Sequence, residues 1–214
     1  MHATQARQSL IDSALRLDAK GINHGSAGNL SLRWLDGFLI TPSGMPYDRI
    51  VPDDIVFMDF AGKVEGRRKP SSEWRFHHDV YAARPEIGAV VHTHSRFATT
   101  LACLRREVPA FHYMIAMAGG NNIRCAPYAT FGTQQLSDYA LQALEGRLAC
   151  LLGTHGLLVL GTDLERAQAL TIEVENLCEM YWRALQIGEP ALLSDAEMAL
   201  VLEKFRHYGA NAQS

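Results

Sequence analysis

Lysine is scarce in this sequence. It occurs only at Lys20, Lys63, Lys69 and Lys204, none of them in an apolar run. A buried amine that forms imines is therefore not expected as the working group. Cysteine is equally sparse: Cys103, Cys125, Cys150 and Cys178 are widely spaced and form no CxxC pair. They read as incidental or buried thiols in a reducing compartment, not as a disulfide framework. No stretch approaches the roughly 18 consecutive apolar residues of a membrane span. The N-terminal "MHATQARQSLIDSALRLDAKG" lacks the apolar core of a signal peptide. Excess charge is missing too, with 20 basic against 23 acidic residues and a net charge of -3. Neither nucleic acid nor an anionic membrane surface is expected as a partner. The remaining expectation is one cytoplasmic domain over residues 1–214, since 48% hydrophobic residues are ample for a single core.

What is present is an interleaving of helical and extended patterns, the mark of an α/β or α+β fold. Leu10, Ile11, Ala14, Leu15 and Leu17 predict a first helix ending near Gly21. "LSLRW" and "FLITP" flank Asp36-Gly37 and predict a β-hairpin turning there. "DIVFMDFAGKV" predicts a further strand turning at Ala61-Gly62. "SSEWRFHHDVYAA" has helical spacing from a serine cap at Ser71 and stops before Pro85. "GAVVHTH" reads as a strand followed by a helix from "SRFATT", whereas "AFHYMIAMAGG" fits either strand or helix. "LACLLGTHGLLVLG" predicts two strands joined at Thr154-His155-Gly156. A long helix from Asp163 to about Leu185 follows, then a last one with Ser194 and Glu197 in capping-box spacing that ends near Gly209.

His92 and His94 stand two apart on a predicted strand, so both rings share one face and can converge on one ion. Taken alone, they also suit the exposed end of a strand. His155, at a tight turn between two apolar runs, would complete a three-nitrogen set; a solvated turn histidine fits the same spacing. His77 and His78 lie mid-helix, where one of an adjacent pair is expected to face solvent. His24 and His112 are candidates for supporting contacts, and His2 and His207 for solvated termini.

Three short segments offer backbone or hydroxyl donors: "SAGN" (Ser26 to Asn29), "TPSG" (Thr41 to Gly44) and "PSS" (Pro70 to Ser72). Each alone is an ordinary turn or cap. Together, in a chain without a Walker-type GxxxxGK[ST], they suit a small phosphorylated ligand better than a nucleotide. Glu73 follows the last of them, either as a favourable charge in a first helical turn or as a carboxylate beside phosphate and metal.

The ordered set "GSAGNLS", "LITPSGMPYD", "PSSEWRFH", "VVHTHS", "HYMIAMAGGNNIRCAPYATFGT" and "THGLLVLG" resembles the class II aldolase/adducin family over nearly the whole chain. The resemblance implies a central, largely antiparallel sheet flanked by helices, and a homotetramer with active sites at subunit interfaces. It implies one Zn2+ per subunit, replaceable by Mn2+ or Co2+, held by His92, His94, His155 and Glu73. It implies phosphate contacts from Gly28, Asn29, Ser43, Gly44, Ser71 and Ser72. Tyr113 matches a tyrosine acid acting across the interface, and Phe131, Phe205 and Tyr208 match residues that position the aldehyde. The implied reaction is reversible cleavage of a ketose 1-phosphate, such as L-fuculose 1-phosphate, into dihydroxyacetone phosphate and lactaldehyde. Cleavage of 5-deoxyribulose or 5-methylthioribulose 1-phosphate by the same chemistry is the near alternative. Pentulose-phosphate 4-epimerases of the superfamily typically carry aspartate where this chain has Glu73, and a metal-free adducin-like module would be expected to have lost ligands that are retained here.

Overall fold

The apolar alternation of "NLSLRW" and "GFLI" makes β1 (Asn29–Trp34) and β2 (Gly37–Ile40) an antiparallel hairpin, with Trp34 paired to Gly37. The structure is a computed structural model that describes residues 2–207. The hairpin loop is Leu35-Asp36, one residue earlier than the expected Asp-Gly turn. Leu35 takes the left-handed φ of 51°, and Gly37 belongs to the strand, paired with Trp34 and Asp59, where a Cβ would run into the Met58 carbonyl. β3 (Val56–Asp59) and β4 (Val64–Glu65) form the expected second hairpin. With β5 (Ala89–Thr93), β6 (Arg124–Ala126), β7 (Ala149–Leu152) and β8 (Gly156–Gly161) they build one eight-stranded sheet of order β4-β3-β2-β1-β5-β8-β7-β6. Every neighbouring pair is antiparallel except β6–β7, so the sheet is largely antiparallel.

Helices cover both faces. α1 (Ala3–Ala19), α3 (Arg96–Cys103) and α5 (Leu164–Ile187) pack on one side, α2 (Trp74–Ala83) and α4 (Gln134–Ala143) on the other. This two-sided cover explains why "AVVHT" is buried throughout instead of alternating. Within β5 the side chains still alternate: Ala89 and Val91 join the α1 cluster, and Val90 joins Phe76 and Val80 of α2. His92 therefore projects to the α2 side, its ring 5.5 Å from that of Phe76.

Two local expectations change. α2 starts at Trp74 with Glu73 at its cap position, and Ser71 caps nothing by side chain in the usual sense, although its hydroxyl accepts from the Glu73 N–H. The ambiguous "HYMIAMA" is a 3-10 segment, Tyr113–Ala118, and His112 Nδ1 accepts from the Met114 N–H at its start. The last helix, α6 (Asp195–His207), opens with the expected Ser194–Glu197 box. Its expected end near Gly209 lies outside the described residues, as does Tyr208.

Candidate metal and anion site

Four side chains converge on the α2 side of the sheet. β5 supplies His92, and His94 just beyond its end; the β7–β8 turn supplies His155, and the residue capping α2 supplies Glu73. Their ligand atoms all lie within 4.8 Å of one another. His92 Nε2 is 3.1 Å from His94 Nε2 and 3.2 Å from Glu73 Oε2, and His155 Nε2 is 3.2 Å from Glu73 Oε1. A tetrahedral ion with bonds of about 2.0–2.1 Å would space its ligand atoms about 3.3 Å apart. The set therefore fits a divalent ion that takes nitrogen and oxygen ligands.

Two further observations agree. Glu73 Oε1 is buried and accepts no hydrogen bond of good geometry, an unsatisfied charge-bearing atom that calls for a partner. His92 Nδ1 lies 2.9 Å from the Leu157 carbonyl, which can only accept, so Nδ1 carries a proton and Nε2 is the ring atom turned to the cluster. Burial, reinforced by His92 and His155, lowers the His94 pKa to about 4, leaving that ring neutral and able to ligate. Burial alone would raise the Glu73 carboxyl, but His92 and His155 outweigh it and hold the group well below the usual carboxylate range.

Sequence reasoning gave no role to His77, yet it is fully buried and orders the carboxylate. Its Nε2 lies 2.5 Å from Asn29 Oδ1, and Asn29 Nδ2 donates to Glu73 Oε2 at 3.0 Å. An amide oxygen cannot donate, so His77 carries its proton on Nε2. Burial, then His92, drops its pKa to about 3, so the ring is neutral and Nδ1 accepts from Ser31 Oγ at 2.6 Å. Ser31 in turn accepts from Tyr81 at 2.8 Å. The relay points one way, from the Tyr81 hydroxyl to the Glu73 carboxylate. A signal was present in the sequence, because Glu73, His77 and Tyr81 recur at i, i+4 and i+8, one face of a helix. His78 is the partly exposed member of the pair, as expected, bound to Asp79 and the Phe60 carbonyl. His24 is exposed, and His112 serves its own 3-10 turn, so neither supports the cluster.

Beside the cluster is a cavity of about 390 Å³, lined by Gly28, Asn29, Ser43, Gly44, Ser71, Ser72, Glu73, His94, Tyr128, Phe131, Thr154 and His155 among others. All three donor segments thus meet at one place, and among the described residues no lysine or arginine lines it. The N–H groups of Ser43 and Ser71 are used by the Lys69 and Thr41 carbonyls, so these two residues offer hydroxyls rather than backbone donors. Gly28 has φ 77°, and a Cβ there would sit 2.5 Å from the His92 carbonyl oxygen, so the first loop presses directly on the strand that carries His92. Phe131 lines the cavity, whereas Tyr113 and Phe205 do not. Those two stack on each other at 6.5 Å, with Tyr113 half exposed, and within one chain they stay apart from the cluster.

Residues 8–182 match the family described as Class II Aldolase and Adducin N-terminal domain. The chain is 59% identical over 207 residues to the 5-methylthioribulose-1-phosphate/5-deoxyribulose-1-phosphate aldolase of Rhodospirillum rubrum, covering 97% of this chain and 94% of that protein. It is 49% identical over 210 residues to the L-fuculose phosphate aldolase of Escherichia coli strain K12, covering 98% of each. Among solved structures, an L-fuculose 1-phosphate aldolase superposes with a TM-score of 0.93 at 44% identity, over 96% of this chain and 98% of that one.

Proposed function

From a chain that belongs to the class II aldolase/adducin family, we propose an aldolase that reversibly cleaves a ketose 1-phosphate into dihydroxyacetone phosphate and a small aldehyde. The observation that carries this reading is the His92–His94–His155–Glu73 cluster opening onto a cavity lined by neutral anion donors. Zn2+ is the ion best matched to three imidazoles and a carboxylate, with Mn2+ or Co2+ as substitutes. Bound there, it supplies Lewis-acid stabilisation of the negative charge left on the ketone half when the C3–C4 bond breaks.

The residues of the chain divide the remaining work. Gly28, Asn29, Ser43, Gly44, Ser71 and Ser72 hold the phosphate through N–H, amide and hydroxyl donors, which fixes C3 and C4 relative to the cluster. Glu73, oriented by Asn29, gives a proton to C3 in cleavage and removes it in synthesis. The C4 hydroxyl proton leaves to Tyr113 of a second copy, consistent with the exposure of Tyr113 and its separation from the cavity in one chain. Phe131 and Phe205 would flank the aldehyde within a homotetramer, and Tyr208 belongs to the same proposal.

L-Fuculose 1-phosphate, releasing lactaldehyde, is the substrate suggested by the 49% relative. The 59% relative favours 5-deoxyribulose or 5-methylthioribulose 1-phosphate, which differ only in the aldehyde half. Cleavage of all three sugars, coupled to NADH-dependent reduction of the dihydroxyacetone phosphate released, ranks them by kcat/KM. Absence of dihydroxyacetone phosphate from every one of them, with metal supplied, would refute the aldolase.

A further inference from the structure

Thr154 holds a backbone conformation that its side chain disfavours. Its φ is 57°, and Leu35 and Arg105 are the other non-glycine residues with positive φ among those described, so Thr154 alone is β-branched. Glycine or asparagine adopts this region with less strain. The turn does not itself call for threonine: it is fixed by Thr154 N–H to the Ala102 carbonyl at 2.8 Å and His155 N–H to the Leu152 carbonyl at 3.0 Å. Both bonds are backbone and would survive another side chain. Strain of this kind persists where a site needs the residue.

Thr154, an exposed residue, lines the cavity with His94, His155, Tyr128 and Phe131, and its hydroxyl has no protein partner among the described residues. The other polar lining side chains have roles in the proposed reaction, apart from Ser26 and Tyr128. Asn29, Ser43, Ser71 and Ser72 serve the phosphate with Gly28 and Gly44, and the histidines and Glu73 serve the ion and the proton. We infer that Thr154 is a specificity-determining residue whose hydroxyl bonds an oxygen on the aldehyde-forming half of the sugar, beyond C3. A hydroxyl both donates and accepts, which suits an alcohol in the ketose and a carbonyl in the product. The inference rests on the aldolase reading and adds a contact to it.

The test uses the metal-loaded enzyme and the three sugars with Thr154→Val, which keeps shape and strain but loses the hydroxyl, Thr154→Ser, which restores it, and Thr154→Gly, which relieves the strain. Thr154→Val should lower kcat/KM about three- to tenfold, the worth of one neutral hydrogen bond. Thr154→Ser should recover most of it, and inhibition by inorganic phosphate should stay unchanged in both. Thr154→Gly should melt above wild type yet lose activity like Thr154→Val, a divergence that a merely structural role would not produce. Loss on all three sugars assigns the contact to the C4 oxygen, and loss on L-fuculose 1-phosphate alone assigns it to the C5 hydroxyl. Wild-type rates for Thr154→Val on every sugar, or a loss that only follows melting temperature and is not restored by serine, overturn the inference. A wild-type enzyme that releases no dihydroxyacetone phosphate overturns the aldolase reading itself, and this inference falls with it.

Discussion

In the proposed reaction Glu73 both ligates the ion and moves a proton, and one substitution separates the two roles. Glu73→Gln keeps an oxygen near the histidines and loses the base. Turnover should fall about 10²- to 10⁴-fold, the usual contribution of a positioned general base, while inhibition by inorganic phosphate stays near wild type. Near-normal turnover would remove Glu73 from the proton path. Two glycines of the anion loops make a sharper pair. Gly44 has φ 68° with open space around its Cβ position, so Gly44→Ala should cost only the left-handed penalty of about 1–2 kcal/mol. Gly28→Ala adds a collision with the carbonyl of His92 and should cost about 2–5 kcal/mol, with weakened metal retention. Chemical denaturation with metal analysis checks both, and equal costs would mean that the contact between loop and strand is unimportant. At this scale the sequence made the convergence of the three histidines and Glu73 legible, but not the backbone conformation of Thr154. Side-chain type and spacing mark a histidine pair, but nothing in "GTHG" announces a positive φ.

Among the elements, α2 contributes most to the site. It presents Glu73, His77 and Tyr81 on one face, and its relay makes the stability of the metal-free protein depend on pH. His77 stays neutral in the folded chain down to about pH 3, whereas its ordinary value is 6.5. Between those values the unfolded chain binds a proton that the folded chain refuses, so stability is full above about 6.5 and falls as pH drops. The slope approaches about 1.4 kcal/mol per pH unit for one such group. His77→Gln retains a donor and an acceptor but cannot titrate, and the melting temperature of its metal-free form should change less between pH 7.5 and pH 5. Parallel profiles for the two proteins would contradict the buried neutral ring. Most elements were legible because their apolar residues repeat at periods of two or about 3.6. The 3-10 segment Tyr113–Ala118 was not, since its apolar run carries no period. The start of α2 was misplaced by the serine pair, whose hydroxyls serve the cavity and the turn before the helix.

Across the whole molecule, sheet order was the feature that spacing could not supply. Nothing local says that β1 pairs with β5 so that Asn29 stands opposite His92, or that β8 lies on the other side of β5. Those two pairings bring the first anion loop and His155 to the histidine pair. The largely antiparallel arrangement came instead from family resemblance. Removal of metal by a chelator should abolish cleavage, and Zn2+ should restore it in proportion to occupancy measured by elemental analysis. Activity that survives complete removal would exclude the metal from the reaction. No helix among the described residues is long and apolar enough to cross a membrane.

The dispersal of the ligands, with Glu73 before α2, His92 and His94 on and after β5, and His155 beyond β7, has a thermodynamic consequence. An unfolded chain cannot readily assemble four donors drawn from segments so far apart, so an ion held by this cluster would favour the folded state. Stability should then gain a term that grows with the logarithm of free metal, about 2.7 kcal/mol at a hundred times the dissociation constant. The melting temperature would become a titration curve for the proposed site, readable without any substrate.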